Sequence, residues 1–446
     1  MDKITVEKNN KNLLIRTVGF IGIALLSLNS IIGAGIFTLP AIVATNAGTA
    51  SPWLFLFVGL GMITVVLTFG QLASYFKDSG GPILYTKAAF GPLAGFSTGW
   101  ILYISRVTAF GANSNALVLY LSAILPWAKT GLGRAAIITI TCLGLTWVNY
   151  IGVKDGIRTL SVFTILKLTP ILLLILIGLK HVSSDVFLQP NLPNINELGP
   201  TILLLVYAFV GFESATYVSG ESTDPKKSLP DAMIKTVLFV GIIYFLIALV
   251  FISVLPSGGS DITLVSLGEA LFGPVGIIII ALAAVFSIGG NLGSLMLAVP
   301  RLTFSLSEQN LLPKWFGNIH TKYQTPANSI LFFGILSLVF ALSGSFVFLV
   351  IASSLTRLLS YIASICALPI IIKNADEKAK TESLSLVGGY TIPIIAFLVC
   401  VWIAAQSNID AWKLTLSLLG IGLILFIFTR WDSVLRIYKD IKKTLI

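Results

Sequence analysis

The amino-acid sequence predicts an all-α integral membrane protein that crosses the bilayer many times. The chain has 446 residues, of which 56% are hydrophobic and only 11% are charged, whereas about a quarter of a soluble protein is charged. Apolar stretches long enough to span a bilayer as helices recur from one end of the chain to the other. These features exclude an ordinary soluble globular protein.

Twelve apolar segments are long enough to be transmembrane helices. They lie at about 18–45, 51–76, 93–124, 133–150, 159–179, 198–220, 235–255, 272–299, 327–343, 346–372, 389–406 and 411–429. We therefore expect five parts in the chain. These are an N-terminal segment (1–17), a first five-helix block (18–179), a second five-helix block (198–372), two further helices (389–429) and a C-terminal tail (430–446).

The distribution of Lys and Arg predicts the orientation of these helices. Most of the 29 basic residues fall in the two terminal segments and in alternate loops. Four lie in the opposite loops: Lys129, Arg134, Lys180 and Lys413. Because basic residues concentrate on the cytoplasmic side of a membrane protein, both termini are predicted to be cytoplasmic. The net charge of +10 is therefore explained by topology, and a nucleic-acid partner is not expected.

Two of the predicted spans are interrupted by glycine. The first contains Gly33-Ala34-Gly35, and the sixth contains Gly211 beside Glu213. Where a helix is interrupted within a bilayer, some backbone N–H and C=O groups lose their helical hydrogen bonds. Such groups are tolerated only where they face protein, water or a ligand. Interrupted helices at matching places in two successive blocks are typical of inverted-repeat transporters, which bind substrate between the repeats. A passive kink or close helix packing is the alternative interpretation of each glycine.

Four ionisable residues lie inside the predicted spans: Lys167, Glu213, Arg106 and Arg357. A charged side chain at mid-membrane costs at least ~2.5 kcal/mol on insertion scales, so each should face a cavity or a partner. The structural alternative is a buried ion pair between Glu213 and one of the three cations. We favour that alternative for the two arginines and a functional role for Lys167 and Glu213.

The remaining chemistry of the sequence does not indicate an enzyme. Cys142, Cys366 and Cys400 all lie in apolar segments, and His181 and His320 lie far apart in loops. We therefore expect no disulfide framework, no metal site and no cofactor. No zinc-protease motif, aspartate pair or Ser/His pair occurs within a span, and no repeated filter sequence indicates a channel.

Five short motifs, in order along the chain, resemble those of the amino acid–polyamine–organocation (APC) superfamily of transporters, and among its members the bacterial amino acid permeases. They are 32–37 (IGAGIF), 76–82 (FKDSGGP) with Tyr85 and 89–91 (AFG), 149–154 (NYIGVK), 209–213 (FVGFE) with 220–221 (GE) and 224–230 (DPKKSLP), and Arg301 with 312–313 (LP) and 325–326 (TP).

The resemblance implies a leucine-transporter-type fold. Ten core helices would form two inverted repeats of five helices, two peripheral helices would follow, and transport would proceed by alternating access. The substrate would be an amino acid or a related amine. Its carboxylate would bind the backbone amides of Gly33, Ala34 and Gly35, and its ammonium group would bind the carbonyls of Ile31, Ile32, Phe209 and Val210. A half-helix N-terminus offers unpaired N–H groups to an anion, and unwound carbonyls suit a cation.

The resemblance also gives roles to Lys167 and Glu213. Lys167 matches a fifth-helix lysine of sodium-independent members, where the ammonium group stands in for a coupling sodium ion. Burial disfavours the charged form of a lysine, so Lys167 could couple proton movement to transport. The alternative is a fixed charge that braces the helices of an exchanger without ion coupling. Glu213 could relay protons or link a gate to the site, or serve only as a structural hydrogen-bond acceptor.

Departures from the family pattern bear on the substrate. Ala34 replaces a frequent serine, and Gln71 stands where many relatives have glutamate. We expect Tyr207, Phe212 and Leu295 to form a largely apolar side-chain pocket, which favours neutral or hydrophobic amino acids over cationic ones. A polyamine or cationic amino acid exchanger is the first alternative, and a non-transport receptor or membrane-embedded enzyme is the second.

The expected setting is the inner (plasma) membrane of a cell, as a multi-pass protein in contact with lipid. The expected partner is an amino acid substrate, and a homodimer is left open. No cofactor is expected apart from the proton as a candidate coupling ion.

Overall fold

A computed structural model describes residues 19–76, 80–152, 157–182, 198–256 and 263–444. These residues form helices and connecting turns, without a β-strand in the part described. The predicted N-terminal segment 1–17 and the motif residues 77–79 and 153–154 lie outside the described residues.

The α-helices are numbered in chain order. They are α1 (Phe20–Ile31), α2 (Gly35–Ala47), α3 (Ser51–Ser74), α4 (Pro82–Phe90), α5 (Pro92–Leu121), α6 (Gly131–Ile151), α7 (Ile157–Gly178), α8 (Gly199–Phe209), α9 (Pro225–Val254), α10 (Leu264–Phe272), α11 (Pro274–Ala298), α12 (Pro300–Glu308), α13 (Ala327–Ser343), α14 (Phe346–Asn374), α15 (Glu377–Glu382), α16 (Thr391–Ala405) and α17 (Ile409–Thr444). The 3₁₀ segments are Gly48–Ala50, Pro126–Lys129, Leu179–His181, Phe212–Glu221 and Lys314–Gly317.

The lengths and apolar character of these helices fit a membrane protein. Eight helical stretches among the described residues are long and apolar enough to cross a bilayer. Three shorter apolar helices, α1, α13 and α16, accompany them. The predicted all-α membrane class is therefore confirmed, while the exact number of twelve spans stays a prediction.

The first predicted break is present between α1 and α2. Helix α1 ends at Ile31 because Ile32 adopts an extended conformation (φ −81°, ψ 92°), and α2 begins at Gly35. A Cβ atom placed on Gly35 would lie 3.5 Å from the Cα atom of Ala208 and 3.4 Å from the hydroxyl of Tyr244. These are ordinary van der Waals distances, so α2 starts beside α8 and α9 without a contact that requires glycine at position 35.

The second predicted break follows α8. Val210 is extended (φ −82°, ψ 153°), Gly211 has a φ of +120°, and the chain continues as the 3₁₀ segment Phe212–Glu221. Glycine adopts positive φ at little cost because it has no Cβ atom. A Cβ on Gly211 would lie only 2.6 Å from the carbonyl oxygen of Ser30, so the second break packs directly on the end of α1.

The two breaks lie at the centre of the fold. The stretch Gly199–Thr216, which contains α8 and the second break, is 89% buried, whereas Ile409–Arg430 in α17 is 17% buried. Around this centre, α3 packs along α9 and α5 packs along α14. Helix α1 contacts α7, α9 and the 3₁₀ segment after Gly211. Opened backbone is therefore placed where neighbouring helices, and not lipid, surround it.

Substituting Gly211 by Ala should destabilise the folded protein. The new Cβ atom would meet the Ser30 carbonyl, and the φ of +120° disfavours any residue but glycine, a strain on the order of 1–3 kcal/mol. Thermal unfolding in detergent, followed by tryptophan fluorescence, should show a lower midpoint for Gly211→Ala. The control is Gly289→Ala in α11, where a Cβ atom meets nothing within 4 Å. Equal midpoints for the two variants would contradict the described geometry of the second break.

Candidate functional site

A small cavity lies between the two breaks. Its wall combines backbone from both breaks with side chains of α5, α8, α11 and α14. The lining residues are Ser30, Ile31, Gly33, Arg106, Ala109, Asn113, Tyr207, Val210, Asn291, Leu295 and Arg357.

Polar side chains from other helices satisfy the backbone of the first break. The Ala34 amide donates a hydrogen bond to Asn113 Oδ1 at 3.2 Å, and Lys167 Nζ donates one to the Ile32 carbonyl at 2.9 Å. The Gly33 amide is 3.1 Å from the carbonyl of Ile31. Two of the amides expected to hold a carboxylate are therefore occupied by internal acceptors in this state.

Asn113 and Asn291 form a polar bridge across the cavity wall. Asn113 Nδ2 donates to Asn291 Oδ1 at 2.9 Å, and Asn291 Nδ2 donates to the Asn29 carbonyl at 3.2 Å. The hydroxyl of Tyr207 lies 3.3 Å from Asn113 Oδ1. Asn113 Oδ1 thus accepts from both a backbone amide and Tyr207, and the bridge connects α5 and α11 to the end of α1.

Glu213 is the centre of a buried charged cluster beside the cavity. Its Oε1 atom accepts from Arg106 Nη2 at 2.9 Å and lies 3.5 Å from Arg357 Nη1. Its Oε2 atom accepts from the Tyr361 hydroxyl at 2.8 Å and from the Gly211 amide at 3.0 Å. The cluster therefore ties the second break to α5 and α14 through charge-assisted hydrogen bonds.

Serine hydroxyls extend this cluster to the first break. Arg106 Nη2 donates to Ser214 Oγ at 3.0 Å, and Ser214 Oγ is 2.7 Å from Ser30 Oγ. On the other side, Arg357 Nε donates to Ser105 Oγ at 3.0 Å. The residues that end α1 and those that follow Gly211 are thereby joined in one hydrogen-bonded network.

Most site residues proposed from the sequence come together, but Phe212 does not. Five of them line the cavity: Ile31, Gly33, Tyr207, Val210 and Leu295. Ile32, Ala34 and Gly35 continue the first break. The ring of Phe209 lies 5.5 Å from that of Tyr244, and the ring of Phe212 packs between Phe69 and Tyr361, 5.4 Å from each. Neither phenylalanine is among the residues that line the cavity.

The expectation of a largely apolar pocket is wrong. The cavity wall includes two arginines and two asparagines besides Tyr207 and Leu295. The physical reason is the local conformation after Gly211. Gly211 has a φ of +120°, which changes the direction of the chain directly before Phe212, and the Phe212 ring packs against Phe69 and Tyr361.

The buried ionisable residues have different surroundings. Glu213 pairs with both arginines, which is the buried ion pair given above as the alternative interpretation. Lys167 is 2% exposed and contacts a carbonyl, and among the described residues it forms no ion pair. The sequence reasoning overlooked Asn113, Asn291 and Ser30. Each of them is a neutral polar residue inside an apolar span, and such a residue indicates a functional site less strongly than an ionisable residue does.

Comparison with known proteins indicates a membrane transporter. A family model described as amino acid permease matches residues 18–427. The branched-chain amino acid permease BcaP of Bacillus subtilis is 27% identical over 97% of both chains. The serine/threonine exchanger SteT of the same organism is 27% identical over 92% of this chain and 94% of its own. The methylthioribose transporter of Bacillus subtilis is 25% identical over 98% of both chains.

The matched family region contains both helix breaks, the cavity between them and all of the residues that line it. The chain therefore belongs to the amino acid permease family, within the APC superfamily of membrane transporters.

Proposed function

We propose that this protein is a secondary active transporter that moves amino acids across the plasma membrane by alternating access. The observation that carries the proposal is the buried cavity between two opened helices, lined by Gly33 from one break and Val210 from the other. Family membership supports amino acids as the substrate class. The named activities of the relatives range from branched-chain amino acids to methylthioribose, so they leave the side chain of the substrate open.

The proposed architecture is a five-plus-five inverted repeat, with repeats at 18–179 and 198–372, two further helices at 389–429, and both termini in the cytoplasm. Each block opens with an interrupted helix, and the two interruptions meet at the cavity. This position is where inverted-repeat transporters bind substrate. The excess of basic residues in the terminal segments and alternate loops supports the orientation.

The first break is proposed to hold the substrate carboxylate. The amides of Gly33, Ala34 and Gly35 stand at the N-terminal end of α2, where the helix offers unpaired donors to an anion. Asn113 Oδ1, which accepts from the Ala34 amide, occupies the position of a carboxylate oxygen. Binding would then exchange the Asn113 contact for a stronger one to a charged acceptor.

The ammonium group is proposed to bind opened carbonyls of both breaks. Ile31 and Val210 line the cavity, and their neighbours Ile32 and Phe209 belong to the same two breaks. The Ile32 carbonyl already accepts from Lys167, so a substrate would share this carbonyl or use the adjacent ones. A zwitterion would bind both sets of backbone groups, the amides through its carboxylate and the carbonyls through its ammonium group.

Lys167 is proposed as the residue that couples protons to transport. Its ammonium group is buried and contacts one carbonyl, without an anionic partner in the described part of the chain. Loss of a proton from this group would therefore remove a buried charge without breaking an ion pair. Glu213 is fully occupied by four donors, so we assign it to holding the second break. An exchanger in which Lys167 is a fixed charge is the alternative.

Filling the cavity at the first break should abolish transport. A Cβ atom on Gly33 would lie 3.2 Å from two atoms of the Asn291 amide group, so Gly33→Val would push branched methyl groups into the binding space. Uptake of labelled amino acids by liposomes containing the purified variant should fall to the level of protein-free liposomes. Gly293→Val in α11, where a Cβ atom meets nothing within 4 Å, should retain uptake. Normal uptake by folded Gly33→Val would exclude this cavity as the substrate site.

Removing the Lys167 ammonium should remove the response to a pH gradient. One proton per substrate couples one pH unit to about a tenfold change in accumulation. Wild-type liposomes should concentrate substrate when the outside is made acidic, and Lys167→Ala liposomes should only equilibrate or exchange it. Lys180→Ala, at an exposed position after α7, is the matched control. Equal wild-type uptake with and without the gradient would overturn proton coupling and support the exchanger.

A further inference from the structure

Two guanidinium groups lie on the wall of the substrate cavity, while the only carboxylate of the cluster lies behind them. Arg106 and Arg357 line the cavity and are 7% and 2% exposed, and Glu213 is fully buried. The cavity therefore presents cationic side chains to whatever occupies it.

The cationic charge of this wall exceeds the charge of its internal partner. Both arginines share one oxygen of Glu213, Arg106 at 2.9 Å and Arg357 at the longer distance of 3.5 Å. The other oxygen is occupied by Tyr361 and the Gly211 amide. Among the described residues, the buried charged side chains are Arg106, Arg357, Lys167 and Glu213, so one carboxylate faces two guanidinium groups.

Arg357 is the less completely neutralised of the two arginines. Its Nε atom donates to the neutral hydroxyl of Ser105, and its Nη1 atom makes the long contact with Glu213. These contacts use Nε and Nη1, and Arg357 is among the residues that line the cavity. Because an uncompensated charge is costly in a low-dielectric interior, an anionic group from a ligand would be bound strongly at this position.

A zwitterionic backbone alone does not supply that group. In the proposed binding mode, the α-carboxylate uses amides of the first break and the α-ammonium uses opened carbonyls, so the substrate backbone is matched without the arginines. We propose that the transported amino acid carries a second carboxylate, on its side chain, which binds the guanidinium groups of Arg357 and Arg106. The substrate class is then an acidic amino acid of the size of aspartate or glutamate. This inference rests on the proposed transport function.

The proposal accounts for the polar lining better than the other side-chain classes do. A polyamine or a cationic side chain would meet two like charges, which disfavours binding. A hydrophobic side chain would cover Arg357 and leave its charge buried without a new partner. A side-chain carboxylate forms charge-assisted and, with a guanidinium fork, bidentate hydrogen bonds.

The test compares each acid with its nearly isosteric amide. Unlabelled glutamate and glutamine, and aspartate and asparagine, compete for uptake of a labelled amino acid into wild-type liposomes. The acid of each pair should compete at least about tenfold better than its amide, because a hydrogen bond to a charged group is stronger than one to a neutral group. Ligand-induced shifts of the unfolding midpoint should follow the same order.

Removing the charge of Arg357 should change the preference for the acid over the amide and not merely the rate of transport. Arg357→Gln should lose the tenfold preference for the acid, while competition by the amide stays equal or improves. Arg357→Lys, which keeps the charge, should retain part of the preference. Arg301→Gln, an exposed arginine outside the cavity, is the matched control and should behave like wild type.

The possible outcomes separate the two proposals. Wild-type uptake of neutral amino acids with equal competition by acid and amide would overturn the acidic class and leave the transport function standing. Equal loss of acid and amide uptake in folded Arg357→Gln would overturn it too, since the arginine would then bind the α-carboxylate common to all amino acids. Absence of any amino acid uptake by folded wild-type protein would overturn the proposed function itself.

Discussion

This structure depends on one constraint: backbone amides and carbonyls that are freed where a helix is interrupted need polar partners inside an apolar protein. Two helices are interrupted at the centre of the fold, and each interruption frees amides and carbonyls that neither lipid nor apolar side chains can satisfy. Lys167 donates to one freed carbonyl, Asn113 accepts from one freed amide, and Glu213 accepts from another. The burial of Asn113 in α5, Lys167 in α7 and Glu213 in the 3₁₀ segment is thus explained by the backbone groups to which they bind.

In the proposed binding mode, the same freed groups bind the amino acid, so internal partner and substrate would compete for them. Asn113 Oδ1 holds the Ala34 amide at 3.2 Å and accepts from Tyr207 at 3.3 Å, both at the long end of the normal range. A charged carboxylate makes shorter and stronger hydrogen bonds than a neutral amide oxygen. In the proposed binding mode, a carboxylate would therefore replace these long hydrogen bonds with stronger ones.

Sequence reasoning located the breaks, whereas it gave an ion pair of Glu213 with one of three cations only as an alternative. Glycine spacing and hydropathy are local properties, so Gly33, Gly35 and Gly211 indicated the interruptions correctly. The pairing of Glu213 with Arg106 and Arg357 joins residues 107 and 144 positions apart and depends on how α5 and α14 are rotated about their axes. Hydropathy does not determine that rotation. Phe212 was misplaced because one positive-φ glycine and a 3₁₀ segment changed the direction of the side chains that follow.

Helix α5 contacts both breaks, so in the proposed function it would link occupancy of the cavity to movement of the helices. Asn113 on α5 holds the first break, and Arg106, about two turns earlier on the same helix, holds Glu213 beside the second. Other attachments lie on different helices, among them Lys167 on α7 and Tyr361 on α14. A substrate that displaces Asn113 and adds an anion beside Arg106 changes both α5 contacts at once. Its affinity then differs between helix arrangements that keep and that release these contacts, and such a difference is what allows a ligand to shift a conformational equilibrium.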